Sequence, residues 1–456
     1  MDSVTTLTAA DAAVLEVLDP RTGEVVATIP AGDERAADAA VRAARGAQAA
    51  WARTPAGERG AALKAAAARA RVHVEELAEL QARENGRPLE ESRAGVEAGI
   101  GAIEQYAELG PLHRGRALNG AYEATDLMVH EPRGVVALLV PWNDPIAIAC
   151  GQLAAALVTG NAVVLKPSER TPLATARLVE VLVLGPPLQV LLGDARAGRP
   201  LAAHPDVDAV VHTGSIATGR ELAALCAPSL RKTLLELGGK DPLVVDAGVD
   251  PVWAAEQAAA GAFANAGQLC TSVERIYVHA DVAGPFVDAL VARARRTEIG
   301  PLVDERQREI VHRHVVEAVA AGARLRAGGE PTDGPGFFYP PTVLENCDDA
   351  MAVMREETFG PVAAVSAVAS FEAALAAANG TEYGLAATVL TPSQAHAQRA
   401  WRELRAGTVK VNAVWGGAPG GAAQPQGASG TGFGYGPELL DELTLTKVVH
   451  IEPAPG

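Results

Sequence analysis

The sequence predicts an α/β protein built from two doubly wound parallel-sheet domains with an extended arm. Three observations carry this. Short apolar strands alternate with helical runs from about residue 135 onward, the strands are continuously apolar, and the alternation restarts near residue 240. Strands apolar on both faces and joined through helices belong to parallel sheets covered on each side. The 456 residues exceed one usual domain about two- to three-fold, so a multi-domain chain is expected. Apolar residues make up 48 % but aromatics only 4 %, which predicts a core of Ala, Val and Leu.

Taken in order, Asp33 is a candidate N-cap for the helical run ERAADAAVRAARGAQAAWA. A second Ala/Arg/Glu-rich run extends from Glu58 to about Leu80, and a third from Leu89 to Tyr106. Between Gly115 and Pro132 the pattern is polar and alternating, an extended arm rather than core. Then come VVALLV (135–140), an apolar helix from Ile146, AVVLKP (162–167), a helix from Thr171, LQVLL (188–192), DAVVHTG (208–214), a helix from Thr218, and PLVV (242–245). Past Asp250 a helix runs into GAFANAGQLC, followed by the strand RIYVHA, the helix GPFVDALVARARR and a long helix from about Glu305 to Gly322. The strand segments PTVLE and FGPVAAVSAV and further βα elements lead to GTVKVN (407–412). The Gly/Ala/Pro-rich stretch from Gly416 to Gly436 reads as loop.

Composition excludes several function classes. A net charge of −16 repels phosphate backbones and anionic lipids, so neither nucleic acid nor a membrane surface is an expected partner. The apolar run Ile146–Gly160 is too short to span a bilayer, and the first twenty residues lack the basic n-region of a secretory signal. A cytoplasmic protein is the expectation. Four cysteines without a CxxC give neither a disulfide framework nor a zinc pattern. The nearest histidines, His312 and His314, lie at i, i+2, where helical side chains diverge, so no metal site is expected.

The chemistry concentrates at strand ends. Cys270 stands in GQLCTSVER between a helical run and a strand. A cysteine of this kind is most often an inert small hydrophobe, but in a loop rich in N–H groups it becomes a nucleophile once it is a thiolate. Glu236, in LLELGGKDP, ends an apolar strand. Burial would raise its pKa toward the range of a general base, whereas a salt bridge would make it merely structural. Asn143 follows a strand in PWNDP, where Pro141 and Pro145 fix a turn that can aim its amide at an oxyanion. Lys166 and Glu169, in KPSERTP, can bind ribose hydroxyls. Gly214 and Ser215, in TGSIATG, place N–H groups at a helix start suited to a pyrophosphate. Singly, each is a common loop composition.

Together, PWNxP, KPSE, TGSxxxG, ELGGK, GQxC and EETFGPV occur in this order, and the sequence resembles the aldehyde dehydrogenase superfamily from LDPRTGEVVATIPAG to TLTKVV. The 34-residue step from Glu236 to Cys270 matches the family pattern. The resemblance implies a Rossmann-like NAD-binding domain (residues 1–114 and 133–238), a catalytic domain (239–430) and oligomerisation arms (115–132 and 431–456) that extend a neighbour's sheet in a homodimer or homotetramer. It makes Cys270 the nucleophile, Glu236 the general base and Asn143 the oxyanion donor. Lys166, Ser168 and Glu169 would contact the cofactor with Trp142, Gly214, Ser215, Glu357 and Phe359. Glu357 would hold the nicotinamide ribose, with Phe359 beside the ring. An aldehyde would be oxidised through a thioester that Glu236 directs to water rather than to coenzyme A. Glu169, placed where the 2′-phosphate of NADP would sit, favours NAD. A cysteine-dependent ester or thioester hydrolase would need Cys270, Glu236 and Asn143 but not Lys166 and Glu357. A catalytically silent relative would be indifferent to loss of Cys270.

The chain departs from the family's usual pattern in places. The closing PFGGxKxSGxGRE-like loop is here PQGASGTGFGYGPE, shorter by about three residues, and LGPPLQVLLG and the turn between Arg296 and Gly300 are clipped. Leu269 stands where some relatives that take anionic substrates carry arginine, Asp144 stands where an aromatic is frequent, and Gly151 leaves space. A neutral or weakly polar aldehyde is the expectation.

Overall fold

The computed structural model describes residues 14–417 and 420–454, so most of the segment read for a secretory signal lies outside the described residues. Strands β1 (Val14–Leu18) and β2 (Val25–Pro30) form an antiparallel hairpin that the sequence reading lacked. Helices α1 (Glu34–Arg53), α2 (Ala56–Val72), α3 (Val74–Asn85) and α4 (Leu89–Leu109) follow. Asp33 does cap α1, its side chain accepting from the Ala36 N–H. The predicted second helical run breaks at His73 into α2 and α3, since His73 leaves helical geometry with ψ at 15°.

The arm consists of β3 (Arg116–Leu118) and β4 (Thr125–Pro132). The first parallel unit then runs β5 (Val135–Leu139), α5 (Pro145–Val158), β6 (Ala162–Lys166), α6 (Pro172–Leu182), β7 (Leu188–Val190), α7 (Ala195–Ala203), β8 (Ala209–Thr213), α8 (Ile216–Cys226) and β9 (Lys232–Glu236). The second contains β10 (Asp241–Val245), α9 (Pro251–Phe263), β11 (Val273–His279), α10 (Ala280–Ala294), α11 (Glu305–Ala320), β12 (Arg324–Ala327), β13 (Thr342–Glu345), α12 (Ala352–Arg355) and β14 (Val362–Val368). It continues through α13 (Phe371–Ala378), β15 (Ala386–Leu390), α14 (Gln394–Glu403) and β16 (Thr408–Val411). The chain closes with β17 (Gly430–Thr431), α15 (Glu438–Glu442) and β18 (Thr444–Ile451).

The first sheet has six strands in the order β17-β9-β8-β5-β6-β7, parallel except for β17. The second has seven, β12-β13-β14-β11-β10-β15-β16, with only β12 antiparallel. The stretch PLVV thus joins the second sheet. Strands β5, β6 and β10 are buried along their whole length, which explains their unbroken apolar runs. The described residues of the Gly416–Gly436 stretch are mainly loop, yet they return to pair Gly430 with Glu236. The arm strand β4 pairs with β18 over eight positions, from Thr444↔Pro132 to Ile451↔Thr125, making a separate antiparallel sheet, β18-β4-β3, within this chain.

In the first sheet the chain proceeds from β5 outward to β6 and β7, then returns to the other side of β5 for β8 and β9. That reversal opens a crevice beyond the carboxyl ends of β5 and β8, where ligands of such sheets bind.

Candidate active site

The sequence-derived site residues meet in one cleft at those strand ends. Cys270, Glu236, Asn143, Lys166, Ser168, Glu169, Gly214, Ser215, Trp142, Glu357 and Phe359 all line it, around a volume of about 480 Å³. Asn143 follows β5, Lys166 ends β6, Gly214 follows β8 and Glu236 ends β9.

The loop that presents Cys270 is held rigidly. Asn265, Ala266 and Gly267 adopt left-handed φ of 48°, 55° and 72° in succession, a conformation costly for alanine that survives only when its surroundings fix it. The Gln268 side chain supplies that fixation. Its Nε2 donates to the Asn265 and Pro301 carbonyls at 3.0 and 3.3 Å, and its Oε1 accepts from the Val303 N–H at 2.9 Å. Asn143 is tied to the same loop, Nδ2 donating to the Gln268 carbonyl at 3.1 Å. An amide carries two N–H groups, so one remains for a ligand. From below, Asn85 Nδ2 donates to the Asn143 carbonyl at 3.3 Å.

Carboxylates dominate the electrostatics. Burial raises Glu236 to about 7, opposed by a 2.8 Å hydrogen bond from the Gly434 N–H. Burial, with Glu274 nearby, lifts Glu357 to about 8. Cys270 is pushed up to about 12 by burial first, then by Asp241, Glu236 and Glu357. Cys270 in the free protein therefore favours the neutral thiol, burial and the neighbouring acids both opposing its charge. Two glycines keep the constellation compact. A Cβ at Gly238 would lie 2.3 Å from Glu357 Oε2, and one at Gly239 would lie 2.6 Å from the Cys270 carbonyl.

Toward the β6 end, Lys166 is buried, and its Nζ donates to the Pro167 carbonyl at 2.8 Å. The following helix α6 starts on Glu84, whose carboxylate accepts from the Leu173 and Ala174 N–H groups at 2.7 and 3.0 Å. The expectation for Gly214 changes. Its N–H is not free but donates to the Glu236 carbonyl at 3.0 Å, and the Ser215 hydroxyl caps α8 by accepting from the Thr218 N–H at 3.3 Å. At the mouth, Trp142 meets Phe359 edge-on at 5.3 Å, and the Arg170 guanidinium lies 5.4 Å from the Trp142 ring.

Sequence reasoning missed the group that positions Glu357 and Phe359. Glu274 accepts from the Thr358 and Phe359 N–H groups, each at 2.8 Å, and from Lys240 Nζ at 2.5 Å. Both side chains are buried, as is His314, whose Nδ1 lies 3.1 Å from Thr358 Oγ1. An acid inside the apolar strand VERIYVH was the available signal. Asp144 is not an isolated acid: its carboxylate meets the Arg87 guanidinium at 2.7 Å. Gly151 does leave space, since a Cβ there would find nothing within 4 Å.

The model of the aldehyde dehydrogenase family matches residues 7–449. This chain belongs to that family. Among solved structures, lactaldehyde dehydrogenase from Escherichia coli is similar at 31 % identity and TM-score 0.95, covering 98 % of this chain and 97 % of that one. Betaine aldehyde dehydrogenase from Staphylococcus aureus, in complex with NAD+, matches at 32 % and 0.95, covering 99 % and 94 %. A putative aldehyde dehydrogenase from Burkholderia cenocepacia matches at 33 % and 0.94, covering 98 % and 95 %. The α/β fold with two parallel sheets is thus the family's fold. The cleft also fits the dinucleotide of the staphylococcal complex: a buried cation at Lys166 beside an acid at Glu169, aromatic rings at Trp142 and Phe359, and a carboxylate at Glu357 that only glycine at 238 can accommodate.

Proposed function

We propose that Cys270 is the nucleophile, Asn143 the oxyanion donor and Glu236 the hydrolytic base of a non-acylating aldehyde dehydrogenase. The reaction class, NAD-dependent oxidation of an aldehyde through a cysteine, follows from the family. The observation that carries the assignment of roles is the convergence of these three side chains on the cleft that also holds Lys166, Glu169 and Glu357.

When bound, NAD supplies the hydride acceptor. Cys270 Sγ, once deprotonated, attacks the aldehyde carbon, and the C=O pair moves onto oxygen. The free N–H of the Asn143 amide and the Cys270 backbone N–H stabilise that oxyanion. Loss of hydride from the same carbon leaves a thioester on Cys270. Glu236 then takes a proton from water, the hydroxide adds to the thioester, and the carboxylic acid leaves as the Cys270 thiolate is regenerated. With a pKa of about 7, Glu236 suits proton exchange near neutrality.

Glu169 would oppose a 2′-phosphate, which favours NAD over NADP. Asp144 neutralised by Arg87, Leu269 at the nucleophile and the space beside Gly151 support a neutral or weakly polar substrate. All four thiols are free, as in a reducing cytoplasm, and no helix of the described residues is long and apolar enough to cross a membrane. Exposed Leu445, Val448 and Ile451 on β18 support burial of the arm sheet in a homodimer or homotetramer, which light scattering would resolve.

The test is NADH formation over a panel of aliphatic, aromatic and carboxylated aldehydes with NAD and NADP, repeated with Cys270→Ser. Acid and NADH in equal amounts, lost in the variant while NAD binding persists, are expected. Ester cleavage with no NADH from any aldehyde would identify a hydrolase instead.

A further inference from the structure

Outside the cleft lining, three side chains from distant parts of the sequence converge at the root of the arm. His113 follows the turn after α4, His130 lies on β4 and Asp441 on α15. A ring nitrogen of each histidine and a carboxylate oxygen of Asp441 all lie within 4.8 Å of one another. His113 Nε2 is 2.8 Å from Asp441 Oδ1. The two imidazoles stack with centroids 4.2 Å apart and planes at 27°. His130 Nδ1 is buried and has no hydrogen-bond partner. A sealed imidazole nitrogen without a partner calls for an explanation, and a bound ion is one of the few available.

We propose that His113, His130 and Asp441 form a binding site for a zinc-class divalent ion, completed by water. Two imidazoles and one carboxylate are a donor set for zinc and its first-row neighbours. Magnesium and calcium take oxygen ligands instead. Zinc–ligand bonds of about 2.0–2.2 Å place neighbouring tetrahedral donor atoms roughly 3.3 Å apart. His113 Nε2 and Asp441 Oδ1, now at hydrogen-bond distance, need to part by only about half an ångström to reach it. Asp441 has a side chain 64 % exposed, so it can swing to admit the ion, and the same open side can take the water. None of the three lines the cleft, so the ion's role is structural. It ties the arm strand β4 and the end of the α4 segment to α15, directly before the C-terminal strand β18 that pairs with β4. The histidine spacing along the sequence gave no hint of it: 17 residues separate the two histidines and 311 separate His130 from Asp441.

The experiment strips the full-length protein with EDTA, removes the chelator, and titrates ZnCl2 against a chromophoric competitor. Cys270→Ser runs in parallel to exclude binding by the active-site thiol. One zinc per chain is expected in both, with a zinc-dependent rise in the thermal midpoint and no competition from excess magnesium. His130→Gln and Asp441→Asn should each weaken zinc binding by at least about tenfold and abolish the thermal shift while aldehyde oxidation is unchanged. Asp441 is exposed, so its variant keeps the fold even if the His130 variant does not. Absence of stoichiometric binding, loss of binding in Cys270→Ser, or undiminished affinity in Asp441→Asn would overturn the site.

Discussion

Replacing Glu236 by glutamine separates the two halves of the reaction. The amide keeps the shape and can still accept the 2.8 Å hydrogen bond from the Gly434 N–H, so the loop against it should hold. What is lost is a group able to take a proton from water. General bases contribute roughly 10²- to 10⁴-fold, so thioester hydrolysis should slow by that factor, about 3–5 kcal/mol of barrier. Acylation and hydride loss do not use the carboxylate. A rapid-mixing assay should therefore show a burst of about one NADH per active site followed by a nearly flat steady state. The pH dependence supplies a second arm. Burial raises Glu236 to about 7, and an acid so raised is protonated below that value and becomes a base as pH climbs through it. The carboxylate fraction grows from about 9 % at pH 6 to about 91 % at pH 8, so wild-type steady-state turnover should rise about tenfold while the variant shows no such rise. Loss of the burst together with turnover would refute the division of labour, and so would a variant that kept the tenfold rise.

Gly434→Ala would put a Cβ 2.2 Å from Glu236 Cγ, so it should slow the steady state at least about tenfold and spare the burst, an outcome stopped-flow absorbance can read. Glu169→Gln removes the charge expected to oppose a 2′-phosphate. The ratio of kcat/KM for NADP to that for NAD should rise about tenfold, roughly 1.4 kcal/mol, and an unchanged ratio would assign selectivity elsewhere. With its pKa near 12, Cys270 should be a thiolate in only about one molecule in 10⁴ at pH 8. Its alkylation by iodoacetamide in the free protein, followed by mass spectrometry of its peptide, should accelerate about tenfold per pH unit up to pH 10, and a plateau below pH 8 would refute this.

Local pattern made much of the fold legible. The buried strands β5, β6 and β10 were visible as apolar runs, and Asp33 was visible as a helix start. What escaped depends on distant partners. The β1–β2 hairpin lies where no strong alternation exists, and its inner face rests on Val17 and Ile29. β17 is a two-residue strand in a glycine-rich loop, created by the edge of β9 rather than by its own sequence. In the site, residues at strand ends were identifiable because strand ends in a parallel sheet face one crevice. Glu274 signalled only as an acid inside the apolar strand VERIYVH, with no hint of its partners, because it and Lys240 satisfy each other and the 358–359 backbone inside the core. The free N–H ascribed to Gly214 failed for a related reason: a backbone donor beside a neighbouring strand end is taken by that strand before any ligand arrives.

The same arrangement explains how a cysteine surrounded by acids can serve as a nucleophile. Asp241, Glu236 and Glu357 all oppose ionisation of Cys270, and all three are themselves shifted upward by burial. A carboxyl group that stays protonated does not repel a thiolate. Protonation of the acids and ionisation of the thiol are therefore coupled. The nearby cations have other partners: the Lys410 ammonium donates to the Val414 carbonyl at 2.7 Å, and Lys240 is committed to Glu274. The resting thiol is consequently weakly nucleophilic toward oxidants and alkylating agents. Activation then depends on positive charge or donors arriving with the ligands that fill the cleft, so that reactivity at Cys270 is gated by occupancy rather than built into the empty site.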